Sequence, residues 1–352
     1  MILLLTDRQD ESRRIGRDLG LVRPCKLVPL HAQGAEPASA AVIVSDVALD
    51  RAVEVEMLRA AQARYHDHPV PFLCLLRDDA YRTRMQALAI PATATLPADA
   101  PRAALVETVL GLIAAKNGSS ERTARDAVQD CATQAGVALA DMMDDAATGK
   151  RIRPQALATG ADRVLEAIGQ DDVRTWLDVV WNYDDVTYQH CLLVTGLAAA
   201  FAVKLGFTLE DQRRLATAAL LHDIGKARIP IQLLSKPGRL TPAELSLMRT
   251  HTALGHDILV RQGGFELEQL AVVRQHHEYL DGSGYPDGLL SHQVPDLVRL
   301  VTICDIYAAL IERRSYKAPM PRDQALSVLT QMGGKLDKDL LAAFRTVVTA
   351  PD

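Results

Sequence analysis

The chain has 352 residues, of which 48% are hydrophobic and 24% charged, and its formal net charge is -5. This length suits two domains, or three, with enough apolar residues for sizeable cores. The slightly acidic balance excludes a global nucleic-acid-binding field, so DNA is not expected as a partner and an anionic ligand must be drawn by local cations or metals.

The first residues, Met1-Ile2-Leu3-Leu4-Leu5, are followed at once by Asp7 and Arg8, so a basic leader and a signal peptide are not expected. Residues 1–116 read as a strand–helix alternation. Apolar runs at 1–6, 41–45 and 70–76, with shorter strands near 25–30 and 92–96, are separated by helical stretches at 8–20, 49–66, 79–89 and 101–115. That order predicts an α/β domain with a five-stranded parallel sheet covered on both faces. Asn117-Gly118-Ser119-Ser120 is a helix stop and linker. Ala124, Val128, Cys131, Ala135, Leu139 and Met142 recur at helical spacing in 121–148, as either an ordinary packed helix or a dimer-forming connector. No convincing strand follows. Helices are expected at 155–168, 172–182, 185–205, 209–224, 242–261, 266–278, 296–311, 321–331 and 337–348, with a Gly/Pro/Asp-rich loop at 279–295. The predicted division is therefore 1–116, a connector at 117–150, and an all-α domain at 151–352. The longest nearly apolar stretch, 192–203, falls short of the ~18 residues that suggest a membrane span. The five cysteines (25, 74, 131, 191 and 304) are scattered, which reads as reduced thiols in a cytoplasmic protein; Cys191 and Cys304 are taken as small buried side chains.

The helical region carries the chemistry. His190 shares a helix face with Leu193, Val194, Leu197 and Phe201, a face that must be buried. His222 and Asp223 end an apolar helix through Leu215, Ala218 and Ala219, with Lys226 one turn on. Asp223 can bridge two metals. His251 lies between apolar neighbours, and Gly255 one turn later removes bulk where another backbone or a ligand can approach. His276 and His277 are adjacent at a helix end, and Asp305 sits inside a strongly apolar helix where a carboxylate needs a partner. Five imidazoles and two carboxylates suffice for two divalent metals sharing Asp223. Mixed N/O ligation suits Fe, Mn, Zn or Ni better than Mg or Ca. The remaining histidines (31, 66, 68, 256 and 292) lack such company and read as solvated or structural.

These residues resemble the HD-GYP family, a branch of the HD-domain phosphohydrolases, over roughly 170–320. His222-Asp223-Ile224-Gly225-Lys226 matches the HD signature, and His276–Pro286 matches the long GYP signature. Lys236-Pro237-Gly238-Arg239-Leu240-Thr241 is similar to the family's segment before its next ligand. Asp305, Tyr307, Ala309, Leu310, Arg314, Tyr316 and Lys317 resemble its last motif.

The resemblance implies a metal-dependent phosphodiesterase with iron or manganese. It would hydrolyse cyclic di-GMP to linear pGpG and/or GMP by a hydroxide activated between two metals. It implies His190, His222, Asp223, His251, His276, His277 and Asp305 as ligands, with Asp223 and Lys226 catalytic. Lys226, Gly284, Tyr285, Arg314 and Lys317 would hold the substrate. Val186 stands where three-metal members carry Glu, so two metals are expected; Ala308, Ile311 and Ile231 also depart from the family pattern. Alternatives are hydrolysis of another cyclic dinucleotide or nucleotide, and a weakly active cyclic di-GMP-binding signalling module. The first domain resembles a response-regulator receiver of two-component signalling. Asp46 aligns with its phosphoacceptor and Asp7 with one of its acidic pair, but Leu96 replaces its lysine and the hydroxyl after the 70–76 strand is missing. The resemblance thus implies a degenerate receiver. Expected partners are cyclic di-GMP, a second copy through the receiver-like domain or the connecting helix, and a signalling protein, with no membrane.

Overall fold

The structure, a computed structural model, describes residues 1–32, 39–65, 70–78, 80–90, 92–117, 123–170, 173–183, 185–313 and 319–349. The chain divides into two compact units: Met1–Arg122 with Asn182–Asp185, and Thr123–Trp181 with Val186–Asp352.

The first unit runs β1 (Ile2–Thr6), α1 (Gln9–Gly20), β2 (Cys25–Pro29), β3 (Val42–Asp46), α2 (Ala52–Ala63), β4 (Phe72–Leu76), α3 (Tyr81–Ala89), β5 (Ala94–Pro97) and α4 (Arg102–Asn117). The strands form the expected five-stranded parallel sheet, in the order β2-β1-β3-β4-β5. β1 and β3 are buried along their whole length, which is why they read as continuous apolar runs rather than alternating ones. This sheet is compatible with a receiver-like fold.

The chain order reverses between β1 and β3, and such switch points open a crevice at the carboxyl ends of the strands. Register pairs Thr6 with Asp46 there. Asp46 is fully buried. Its carboxylate accepts hydrogen bonds from Ser12 Oγ (2.6 Å), Arg77 Nε (3.1 Å), Arg8 Nη2 (3.2 Å) and Arg8 Nε (3.3 Å). Arg77, the residue after β4, also donates to the Asp46 main-chain oxygen at 2.7 Å and to both oxygens of Asp7. Burial alone would raise the Asp7 carboxyl, but the Arg77 hydrogen bond and the Ala48 N–H hold it below its ordinary value. Two guanidiniums thus fill the acidic crevice.

The second unit contains α5 (Ala124–Thr148), α6 (Pro154–Gln170), α7 (Val173–Val180), α8 (Val186–Lys204), α9 (Leu209–Leu221), α10 (Ile231–Leu234), α11 (Pro242–Arg249), α12 (His251–Gln262), α13 (Leu267–Gln275), α14 (Asp296–Ile311), α15 (Arg322–Gln331) and α16 (Lys338–Val348). α5 begins with a Thr123–Asp126 capping box and clusters with this unit. α8 is the central element, buried continuously from Tyr188 to Ala202. Trp176 on α7 donates its indole N–H to the Leu192 carbonyl at 3.0 Å, in the space Gly196 leaves open. By length and composition α8 could cross a membrane, unlike the shorter apolar stretch within it, yet 83% of its apolar window is buried inside the protein.

Two expected helices are broken. The 209–224 segment ends as α-helix at Leu221, and the chain then enters a 3-10 turn, Ile224–Arg228. The 242–261 segment divides at Thr250, whose hydroxyl donates back to the Leu247 carbonyl at 2.7 Å. Apolar spacing continues across both breaks, so periodicity alone does not mark them. The short α10 falls between the expected helices at 209–224 and 242–261, where no element was expected.

The buried Asp46 yields a stability test. Arg77→Ala removes charge-assisted bonds to Asp46 and Asp7 and is expected to cost about 1.5–3 kcal/mol, measured by urea unfolding of the full chain. A loss within error would mean that Arg8 and Ser12 neutralise Asp46 unaided.

Candidate metal centre

The site gathers side chains from five helix ends or faces. α8 supplies His190; His222 caps the C-terminus of α9, with Asp223 just beyond it; His251 opens α12; His276 caps α13, with His277 next; and α14 supplies Asp305. The HD turn comes close to α12 because two glycines meet: a Cβ on Gly225 would stand 1.8 Å from the His251 oxygen, and one on Gly255 would stand 3.0 Å from the Gly225 nitrogen. The close backbone approach expected at Gly255 is therefore present. His222 and Asp223 do not share a helix as expected; the break after Leu221 turns the Asp223 side chain into the cluster.

Three rings are oriented by the backbone. Nδ1 of His222 lies 2.6 Å from the Ala219 oxygen, Nδ1 of His251 2.7 Å from the Met248 oxygen, and Nδ1 of His276 3.1 Å from the Val272 oxygen. Each therefore carries its proton on Nδ1 and turns the Nε2 lone pair inward. His251 Nε2 and His276 Nε2 face each other at 3.3 Å. Asp223, 1% exposed, lies between two sets of rings. Its Oδ1 is 3.2 Å from His251 Nε2 and 3.8 Å from His276 Nε2, while its Oδ2 is 3.2 Å from His222 Nε2 and 3.7 Å from His190 Nε2. His222 Nε2 and Asp223 Oδ1 are buried with no hydrogen-bond partner among the described residues. Lone pairs facing lone pairs in a dry pocket are costly unless a cation lies among them.

The donor set fits divalent metals on this ground. One candidate group is His251, His276 and His277; a second is His190, His222 and Asp305, with ligand atoms within 4.8 Å of one another in each. One oxygen of Asp223 faces each group. Cys191 Sγ also lies within 4.8 Å of candidate ligand atoms of His222 and Asp223.

Electrostatics agree. Burial first, then the neighbouring imidazoles, lower His276 far below its ordinary value; burial lowers His277 to about 4, so both rings are neutral donors at neutral pH. Burial would raise Asp223 and Asp305, but their partners hold both carboxylates well below their ordinary range: chiefly the Lys226 charge and the His222 ring for Asp223, and the hydrogen bond to His190 and the His277 ring for Asp305. Burial works against the Lys226 charge, yet Asp223, with which it pairs directly, raises it.

One acid was not identified from sequence. Glu312, the C-cap of α14 and 2% exposed, sits 3.1 Å from His190 Nδ1, while Asp305 Oδ1 sits 2.9 Å from Nε2. With a carboxylate on each nitrogen, burial is outweighed and His190 is raised to about 9. The available signal was Glu312 lying seven residues after Asp305, two turns along one face of an apolar helix.

The loop after His277 is built around Glu278, whose oxygens accept the N–H groups of Asp287 (2.6 Å), Gly288 (3.0 Å) and Leu289 (3.0 Å). Gly284 serves this loop rather than lining the cavity: a Cβ there would stand 2.4 Å from the Tyr279 nitrogen. Tyr285 stacks on His277, centroids 4.7 Å apart at 29°. A cavity of ≈ 550 Å³ opens over the cluster, its walls including His190, Lys226, His251, His277, Tyr285 and Asp305. Val186 lies on its wall, whereas Ala308 is buried away from it. Arg314 and Lys317, with Asp184, His66 and His68, lie outside the described residues.

Fold and site together define a helical bundle of the HD type, with a candidate metal cluster at its centre. Residues 165–340 match the HD domain family, and the chain belongs to it. It is 38% identical over 171 residues to a cyclic di-GMP phosphodiesterase of Thermotoga maritima, a match covering 48% of this chain and 46% of that protein. It is 39% identical over 141 residues to the cyclic di-GMP phosphodiesterase response regulator RpfG of Xanthomonas campestris (40% of this chain, 37% of that one). It is 37% identical over 146 residues to the 3'3'-cGAMP-specific phosphodiesterase 3 of Vibrio cholerae (41% and 31%). The matches thus span less than half the length of these relatives. Among solved structures it resembles Bd1817, an HDG"Y"P protein from Bdellovibrio bacteriovorus, with a TM-score of 0.55 and 18% identity over 72% of this chain and 89% of that one; the likeness is one of fold.

Two outcomes are expected. Glu312→Gln should weaken metal binding about 10- to 100-fold by loosening His190, read by titration with Mn or Zn; unchanged affinity would remove Glu312 from the site. In the metal-free protein, His190 gains its proton partners on folding, so its stabilising contribution is full below 6.5 and lost as pH rises through about 9. His277 acts oppositely: stability falls as pH drops from 6.5 towards 4. Thermal melts of the apo-protein across pH 4–10 should therefore decline on both flanks, and metal should suppress the alkaline decline.

Proposed function

We propose that the helical unit is a metal-dependent phosphodiesterase that hydrolyses cyclic di-GMP to linear pGpG and/or GMP. The observation that carries this reading is Asp223: one carboxylate oxygen faces each of two ligand groups, and it pairs with Lys226 on the wall of a cavity that Tyr285 also lines. Two divalent ions, iron or manganese by resemblance, would supply acidified water and offset phosphoryl charge. His190, His222, Asp223, His251, His276, His277 and Asp305 would hold them.

The remaining work falls to the chain. Lys226, kept charged beside Asp223, meets the negative charge that develops on the phosphoryl oxygens. Tyr285, braced by His277, offers an aromatic wall to a base. Leu240, Ile306 and Leu310 make part of the cavity apolar, so attacking water is restricted to the polar floor. Arg314 and Lys317 remain proposed substrate contacts by resemblance.

A second cyclic dinucleotide is a live alternative, because the relatives include 3'3'-cGAMP-specific enzymes. Fold does not fix substrate.

For the first unit we infer a receiver-like regulatory domain that works without phosphoryl transfer to Asp46. The five-stranded order supports the likeness, and the arginine-filled crevice argues against the transfer. Acetyl phosphate with Mg is expected to leave Asp46 unmodified by mass spectrometry; a phosphoaspartate at Asp46 would reverse this.

Asp223→Ala should lose both bound metal and cyclic di-GMP turnover, while Lys226→Ala should keep metal and lose about 10²–10³ in kcat. Product chromatography with metal-loaded protein reads both. Full turnover by Asp223→Ala would end the hydrolase assignment, and saturable binding of cyclic di-GMP without turnover in the wild type would favour a signalling module.

A further inference from the structure

The cavity wall contains a second lysine to which neither the metal cluster nor the HD turn gives a role. Lys236 lies in the loop between α10 and α11, beside Leu234 and Ser235, and lines the same cavity as Lys226, His251, His277 and Tyr285. Its ammonium is not free to wander. Nζ donates to both oxygens of Glu244, at 2.6 and 2.8 Å. Glu244 is fixed in turn by the α11 capping box: its Oε2 accepts the Thr241 N–H at 2.7 Å, and the Thr241 hydroxyl accepts the Glu244 N–H at 3.3 Å. Glu244 does not line the cavity, so the acid anchors from outside it a lysine whose side chain lines the space a ligand would fill. The Lys236 side chain keeps 32% of its surface exposed, which leaves donor capacity for a ligand.

A cyclic dinucleotide carries two phosphodiesters, and only one can lie on the cluster at a time. The other must leave water in a cavity whose lining includes two buried acids, Asp305 and Glu312. An uncompensated phosphate there would be costly. Lys226 is committed to the floor through Asp223.

We propose that Lys236 binds the phosphodiester that is not being cleaved, and so sets the preference for cyclic dinucleotides over substrates with a single phosphodiester. This rests on the phosphodiesterase reading. Glu244 is the positioning residue that holds the ammonium in place before substrate arrives.

The test compares cyclic di-GMP with bis(p-nitrophenyl) phosphate, which has one phosphodiester, using metal-loaded full chain and the variants Lys236→Met and Lys236→Arg. Lys236→Met should raise KM for cyclic di-GMP about 10-fold or more, with kcat changed much less. Its kcat/KM for bis(p-nitrophenyl) phosphate should fall far less than its kcat/KM for cyclic di-GMP. Lys236→Arg should recover most of the loss in KM. An unchanged KM for cyclic di-GMP, or equal losses on both substrates, would overturn the assignment while leaving the hydrolase reading intact. Wild-type protein that cleaves bis(p-nitrophenyl) phosphate but no cyclic dinucleotide would instead overturn the substrate reading, and this assignment with it.

Discussion

Three imidazoles donate from Nδ1 to main-chain oxygens three or four residues earlier in the chain, and this obliges their Nε2 lone pairs to converge. Everything else in the helical unit serves or tolerates that convergence. Lone pairs 3.3 Å apart, beside a buried carboxylate, repel one another unless positive charge lies between them. The bundle therefore stores a demand for cations at its centre. The demand is met in part from within, by Lys226 against Asp223 and by a protonated His190 between Asp305 and Glu312. Protons and metals then compete for one set of atoms, which couples metal binding to pH.

Helix termini are the instrument. His222, His251 and His276 stand at the end of α9, the start of α12 and the end of α13, where main-chain carbonyls lack intrahelical partners or can be shared with a ring. Interior positions contribute only His190 and Asp305, whose orientation depends on each other and on Glu312. The glycines at 225, 255 and 284 have the complementary task of letting backbone segments close to distances that a side chain would forbid. Glu278 uses both oxygens to hold the far side of the loop that carries Tyr285.

The two units manage buried acid in different ways. In the first, Asp46 lies at the strand crevice where an α/β sheet ordinarily receives a ligand, and Arg8 and Arg77 neutralise it. In the second, Asp223 is left with an unpartnered oxygen. A carboxylate already saturated by guanidinium forks has little left to offer a ligand. One with an idle lone pair is poised for a cation.

Much of this was legible from residue order. The alternation of apolar runs and helical stretches determined the parallel sheet and the helical unit, because burial on both faces of a strand or one face of a helix leaves a period in the sequence. The paired signatures at 222–226 and 276–286 marked the cluster, since buried imidazoles and carboxylates are rare without a shared purpose. Tertiary structure alone decided the rest. It broke the helices at Leu221 and Thr250, directed each Asp223 oxygen to a different ring set, brought Glu312 onto His190, reassigned Gly284 to the turn and drew Arg77 over Asp46. None of these leaves a periodic trace. They depend on distances between segments remote in the chain, which packing and hydrogen bonding fix only once the fold has closed.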